Sequence, residues 1–162
     1  PGTMIFLDIS TVTLEIAKLI YQRNLKVTVV TNMIDILEIF THESNVELIF
    51  IGGQLNKVRD GFIGLATLNQ LREYYFDLSF LGVVGIDIYS GYVATYDTND
   101  GLTKKEVING SRKCYLVGES AKLNLDGNYL FAKISDFTGY ICEKQLDNKI
   151  ERKIRDYGIE II

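Results

Sequence analysis

The sequence is poor in the residues that most often carry chemistry. It has one histidine, His42, and two cysteines, Cys114 and Cys142. A zinc site of the usual His/Cys type needs more ligands than these, and His42 is far from either cysteine in sequence, so no metal is expected. A serine–histidine triad would have to use His42, which falls near the end of a predicted helix and reads as a surface residue. Two cysteines make no disulfide framework, and both sit in short apolar runs, so buried free thiols are expected. There is no GxGxxG and no Walker loop, so no nucleotide or other cofactor is expected. No apolar run approaches the roughly 18 residues of a membrane span. Met4–Leu7 is too short for a signal peptide and has no basic leader. The cytoplasm is the expected compartment, with no membrane partner. The net charge of -4 argues against this chain itself holding nucleic acid. The densest basic cluster, Lys149 to Arg155, alternates with acidic and apolar residues and reads as a solvated helix face.

Apolar material is plentiful. Hydrophobic residues make up 47% and charged residues 23%, enough for a real core in a chain of 162 residues. With a single proline, no low-complexity stretch and no internal repeat, residues 1–162 read as one domain. Pro1-Gly2-Thr3 is set aside as a cloning scar or a cut linker.

Strand and helix patterns alternate. Met4–Leu7 is a short buried strand ending at Asp8. Thr11–Gln22 reads as a helix with Val12, Ile16, Leu19 and Ile20 at helical spacing. Lys26–Val30 and Glu47–Ile51 are strands rich in β-branched residues, with a helix over Met33–Phe40 between them. Gly64–Tyr74 is a helix, and Asp77–Val84 a nearly continuous apolar strand, as expected when both sheet faces are covered. Gly91–Thr95 is a short strand, and Asn99–Asn109 a helix with a weak stripe. Lys113–Val117 and Gly139–Ile141 are strands. Leu146, Ile150, Ile154 and Tyr157 mark a helix, and Ile159–Ile162 a last strand. This order predicts an α/β fold, a mostly parallel sheet with helices on both faces.

Ligands bind such sheets at the carboxyl ends of the strands. After the first strand comes Asp8-Ile9-Ser10-Thr11-Val12-Thr13, opening a helix whose free amides and positive dipole end favour an anion. The hydroxyls of Ser10, Thr11 and Thr13 add donors there, although a simple helix cap explains Ser10 or Thr11 equally well. Thr31-Asn32 follows the second strand, with an N-cap as the plainer role of Asn32. Gly52-Gly53 follows the third and permits close backbone approach to a ligand, or only a turn. Gly85 and Asp87 follow the fourth, Asp87 being also an ordinary turn residue. Thr95 and Asp97 precede a helix bearing Lys104 and Lys105. Lys122 follows the Lys113–Val117 strand, where an exposed lysine is the base expectation. Each signal is weak alone. Together they place hydroxyl, amide, glycine and carboxylate groups on one predicted rim, which suits a polyhydroxylated anion such as a sugar phosphate.

These segments also form an ordered series. Ile5-Phe6-Leu7-Asp8, then Leu14-Glu15-Ile16-Ala17, then Val27-Thr28-Val29-Val30-Thr31-Asn32 and Leu48-Ile49-Phe50-Ile51-Gly52-Gly53 stand in order. Phe62-Ile63-Gly64, Phe76-Asp77, Phe80-Leu81-Gly82, Gly85-Ile86-Asp87, Ser111 to Val117 and Ser120-Ala121-Lys122 follow. From Met4 to about Glu143 the chain resembles the C-terminal sensor domain of DeoR-type transcriptional regulators. The resemblance implies a ribose-5-phosphate-isomerase-like fold and a phosphorylated sugar effector. It also implies a homo-oligomer, and DNA binding through a separate N-terminal winged helix-turn-helix that this chain does not include. In that reading Ser10, Thr11 and Thr13 hold an anionic or hydroxyl group. Asp8, Asn32 and Asp87 bind sugar hydroxyls, and Lys104 or Lys122 neutralises phosphate. The family loop usually runs Asp-Ser-Gly-Thr-Thr. Here Asp8 and Thr11 match, while Ile9, Ser10 and Val12 depart from it, and serine adopts a positive φ less readily than glycine. Tyr96 replaces a frequent proline, the acidic cluster after it is thinned to Asn99 and Asp100, and Glu119 replaces an aspartate.

A sugar-phosphate isomerase on the same fold is the rival. Aldose–ketose isomerisation needs a base that moves a proton between adjacent carbons. The related isomerases carry an aspartate in a Gly-Ala-Asp stretch, and Gly82-Val83-Val84 puts a valine in its place. Asp87 and Glu106 are the carboxylates left to substitute. No catalytic residue and no enzymatic activity are expected. A purely structural oligomerisation module, with Tyr74 and Tyr75 at an interface, is the other alternative.

Overall fold

A computed structural model describes residues 2–82, 85–118, 123 and 127–162. The strand–helix alternation is present from the start. β1 (Met4–Leu7) leads through α1 (Thr11–Gln22) to β2 (Thr28–Thr31), and α2 (Ile34–Ile39) leads on to β3 (Glu47–Phe50). A two-stranded hairpin, β4 (Gln54–Leu55) and β5 (Phe62–Ile63), precedes α3 (Leu65–Leu71) and the long β6 (Phe76–Gly82). After β7 (Gly85–Asp87) and β8 (Tyr92–Thr95) come α4 (Thr98–Asn109), β9 (Ser111–Gly118) and β10 (Tyr129–Lys133). The chain closes with β11 (Gly139–Cys142), α5 (Asn148–Arg155) and β12 (Glu160–Ile161).

Among the described residues, seven strands form one parallel sheet in the order β12-β11-β9-β6-β1-β2-β3. The chain walks outward from β1 to β3, then crosses to the other side of β1 and lays down β6. The direction switches between β1 and β6. Loops leaving such neighbouring strands part to opposite faces and open a crevice at the carboxyl edge.

The period-2 alternation of a strand decides which helix each residue meets. Ile5 and Leu7 pack with Ala17 and Ile20 of α1 and Ile36 of α2. Phe6 points the other way, into a cluster with Leu71 of α3, Val107 of α4 and Ile154 of α5. Helices therefore cover both faces, as the alternation implied. Asp8, next in phase after Phe6, falls on the side of α4. The weak stripe of α4 has a physical cause: its buried face is Gly101, Thr103, Lys104 and Val107, small and polar rather than apolar.

One expectation needs correction. β8 is not on the rim of the parallel sheet. It pairs antiparallel with β7 and β10 in a separate three-stranded sheet, whose Ile86, Val93 and Phe131 join the same core as Phe6. Strands this short carry too few residues for their pattern to distinguish one sheet from two. The strand expected to run to Val84 ends at Gly82 among the described residues, and Val83 and Val84 lie outside them. Both cysteines are free thiols, but only Cys114 is buried; Cys142 is half-buried. Among the described residues no helix is long and apolar enough to cross a membrane.

Candidate ligand site at the carboxyl edge

Asp8 is the first residue beyond β1, and its side chain is fully buried. A lone carboxylate there would be strongly disfavoured, so it must be paired. Asp8 Oδ2 accepts from Lys104 Nζ at 2.5 Å and from the Gly82 amide at 3.1 Å. Lys104 is also buried and donates a second bond to Asp100 Oδ1 at 3.0 Å. The two residues are one helical turn apart on α4, which sets them on one face. Asp100 Oδ2 accepts from Thr95 Oγ1 at 2.9 Å. Burial pushes the Asp8 carboxyl up to about 6, although Lys104 pulls it down. Burial would lower Lys104, but Asp100 and Asp8 outweigh it and hold the ammonium above its ordinary value. Two carboxylates thus face one ammonium. Among the described residues, Asp8 Oδ1 and Asn32 Oδ1, both buried, meet no hydrogen-bond partner.

The start of α1 is built differently. Ser10 is its N-cap, and Ser10 Oγ accepts from the Thr13 amide at 3.0 Å. Its φ of -163° is extended backbone, so serine in place of the family glycine introduces no strain. A side chain at Gly82 would collide with Ser10 Cβ, so glycine there lets the loop after β1 fold onto the end of β6. Thr13 is fully buried, and its hydroxyl donates to the Asp8 carbonyl at 2.5 Å. Thr13 therefore fastens the loop rather than facing a ligand. Thr11 is exposed, and no acidic residue stands in the first turn.

The other expected residues divide. Thr31 is buried, donates to the Leu7 carbonyl at 2.7 Å and accepts from the Met33 amide, so it braces β1 against β2. Asn32 Nδ2 donates to the Phe62 carbonyl at 2.8 Å and ties the β4–β5 hairpin to the rim. The Gly52 carbonyl accepts from Thr67 Oγ1 and Gln70 Nε2. Gly53 has a φ of 156°, and a side chain there would strike Thr67, so packing onto α3 requires the glycine. Gly85 is buried in β7 opposite Ala94. Asp87 accepts from Ser90 Oγ and from the amides of Tyr89 and Ser90, bonds that hold its carboxyl below its ordinary value. It is a turn residue of the second sheet and stands outside the Asp8 network. Asp97 Oδ1 caps α4 by accepting from the Asn99 and Asp100 amides. Lys104, expected as a free cation for phosphate, is already held by Asp8 and Asp100. Lys122 lies outside the described residues.

Two cavities flank the Ile9–Val12 loop. One, of about 240 Å³, opens between Ile9, the β4–β5 turn with Asn56 and Asp60, and the start of α4 with Thr95, Asp97 and Asp100. The other, of about 430 Å³, has Thr11, Val12 and Glu15 on one wall and Gly118, Ile141 and Glu143 on another. Sequence reasoning named Asp100 without expecting it at the site, and missed Asn56 and Asp60. The spacing of Asp100 and Lys104 was the available signal for the first; the hairpin carrying the others has strands of two residues and no legible pattern.

The DeoR C-terminal sensor domain family matches residues 1–144. The chain belongs to this family. Over its whole length the sensor domain is 26% identical to a putative aga operon transcriptional repressor of Escherichia coli O157:H7, covering 60% of that protein. It is 30% identical to the glycerol-3-phosphate regulon repressor of Escherichia coli K12 over 99% of this chain and 63% of the repressor. The chain thus spans under two thirds of the length of these relatives. A D-ribose-5-phosphate isomerase solved with phospho-erythronic acid has the same fold, with a TM-score of 0.50 and 12% identity over 75% of this chain and 46% of the isomerase.

Proposed function

We propose that this sensor domain binds a phosphorylated sugar in the crevice between β1 and β6 and is a regulator, not an enzyme. The observation that carries the proposal is the start of α1. A neutral, hydroxyl-capped helix N-terminus stands at the switch point of the sheet between two cavities, with no acidic residue of its own in the first turn. The leading amides of a helix lack intrahelical acceptors, and the dipole favours an anion there. Ser10, Thr11 and those amides would hold the phosphate. Relatives named as repressors of an aga operon and of a glycerol-3-phosphate regulon support a regulatory role in metabolism. In this proposal the domain works in the cytoplasm as a homo-oligomer and reports its ligand to a DNA-reading domain elsewhere in the whole protein.

Among the described residues, the buried Asp8 beside Lys104 is the pair that an isomerase could use. Here Lys104 holds Asp8 Oδ2, and both side chains are closed off from solvent, at 0% exposure for Asp8 and 3% for Lys104. Glu106 pairs with Arg72 at 3.3 Å, and Asp87 is fixed in its turn.

The test is a thermal-shift panel of sugar phosphates, each beside its free sugar. A ligand that binds the native state raises the melting temperature by mass action. Stabilisation by a phosphorylated sugar and not by its free sugar is expected. No shift with any compound, or appreciable isomerisation of a pentose or hexose phosphate, would refute the proposal.

A further inference from the structure

Asp8 and Asn32 leave neighbouring strands at the same level. β1 and β2 pair in register from Met4 opposite Thr28 to Leu7 opposite Thr31, so Asp8 and Asn32 are the next pair beyond the ladder. Phe6 and Val30, two residues earlier, share one core cluster, and the period of a strand turns Asp8 and Asn32 to that same side. Neighbouring strands lie about 4.8 Å apart, so side chains paired on one face reach each other. Both side chains are fully buried, and among the described residues Oδ1 of each meets no donor. A buried acceptor without a donor is costly, and here two of them stand on adjacent strand ends.

Asn32 has no hydrogen to spare for Asp8 in its present orientation. Its Nδ2 donates to the Phe62 carbonyl at 2.8 Å and holds the β4–β5 hairpin to the end of β2. Turning the amide over would offer Nδ2 to Asp8 and set an oxygen against the Phe62 carbonyl. The charges are unbalanced in the same place. Asp8 and Asp100 share the one ammonium of Lys104, which leaves an excess negative charge in the interior when both are ionised. Asp8 Oδ2 is occupied by Lys104 and the Gly82 amide, and Oδ1 is the open atom. The Ile9 amide favours the ionised carboxyl but makes no hydrogen bond to Oδ1. The titratable groups that Asp8 feels are Lys104 and Asp100 of α4 and the Cys114 thiol of β9. Burial pushes that thiol up to about 12 and keeps it neutral. Among the described residues α1, β2, β6 and the hairpin add no charge to this set.

We propose that Asp8 takes up a proton on Oδ1 and donates it to Asn32 Oδ1, so that one buried proton joins β1 to β2 and fixes the Asn32 amide in the orientation that holds the hairpin. With Asp8 ionised, Oδ1 lacks a donor, the Asn32 amide turns over to supply one, and the bond to Phe62 is given up. Loss of the proton thus loosens the hairpin that walls the cavity beside α4. Burial raises the carboxyl from 3.8 to about 6, so the joined form fills as pH falls through about 6.

The full chain, labelled with ¹³C and ¹⁵N, is titrated by NMR from about pH 8 to about pH 4.5. The Asp8 carboxyl carbon and the Asn32 side-chain amide should move together, with one midpoint near 6. Exchange of the Phe62 and Ile34 amides, which join the hairpin to the end of β2 and the start of α2, is followed in parallel. Corrected for intrinsic base catalysis, it should slow by about fivefold on acidification through the midpoint, the usual worth of one hydrogen bond. Asp8→Asn places a permanent donor where Oδ1 stands. In that variant the Asn32 signal should keep its low-pH position throughout, and the exchange step should vanish. An Asp8 carboxyl that stays ionised to the end of the titration, or one that titrates while Asn32 is unmoved, overturns the proposal. So does a step that persists in Asp8→Asn, or a water or metal cation found between the two oxygens in crystals grown on both sides of the midpoint. The wild-type titration decides the matter even if Asp8→Asn fails to fold, and it involves no ligand, so its outcome is separate from that of the phosphate site.

Discussion

α1 and α4 are each 12 residues long, and each begins at the carboxyl edge with a side-chain cap. Their backbones present the same uncompensated amides and the same positive dipole end. The sequence answers that field in opposite ways. α4 brings its own anions, Asp97 as cap and Asp100 in the first turn, and anchors Asp100 to Lys104 one turn later. α1 offers only the Ser10 hydroxyl. One helix start thereby carries its own negative charge, and the first turn of the other carries none. Helix dipoles alone do not locate a binding site; in the proposed function, the charge of the capping residues decides which helix start receives the anion.

The comparison breaks most severely at Lys104. Lys104→Met removes the cation from a fully buried Asp8 and keeps the side chain's length. Loss of one partner of a buried ion pair costs about 3–5 kcal/mol, because the remaining charge stays desolvated. Urea unfolding should show a destabilisation of this size. A loss below about 1 kcal/mol would mean that Asp8 is protonated or solvated in the native state, and that α4 is not anchored by charge.

A smaller effect follows from the pH dependence of the same anchor. Burial raises Asp8 from 3.8 to about 6 in the folded state. The native state then binds more protons than the unfolded chain between these values, so the contribution of Asp8 to stability rises as pH falls from about 6 to about 4. The stability difference between wild type and Asp8→Asn should therefore shift in favour of wild type by on the order of 2 kcal/mol between pH 7 and pH 4. Paired urea titrations at several pH values measure it. If Lys104 dominated instead, the carboxyl would be depressed, and the difference would move against wild type on acidification.

The fold was legible where strands were long enough to show a pattern and helices carried apolar stripes. Thr11–Gln22 is a helix over the expected residues, and the seven parallel strands lie close to their expected bounds. The antiparallel sheet was not legible, because Gly85–Asp87 has three residues and Tyr129–Lys133 gave no alternation to read. Asp8, Ser10 and Asn32 stand at the carboxyl edge, as their places after strands implied. Lys104 was found too, but as a free cation. A lysine on a helix is exposed by default, and only the partner 96 residues earlier makes it an interior residue. Asp87 was misassigned because a carboxylate after a strand looks the same in sequence whether it faces a ligand or closes a turn.

The finest test of the comparison is at Ser10, where the cap and the anion site coincide. Ser10→Ala removes the bond to the Thr13 amide and should cost about 1 kcal/mol of stability, the usual worth of a helix cap. Ser10→Asp should leave stability within about 0.5 kcal/mol of wild type, since aspartate caps as well as serine. It also places a fixed negative charge at α1 and so converts its start into a copy of that of α4. The phosphate-dependent thermal shift should vanish in Ser10→Asp while the fold persists. If instead Ser10→Asp retained the full shift, the anion would be held elsewhere, and the neutrality of the α1 start would be a matter of helix capping alone.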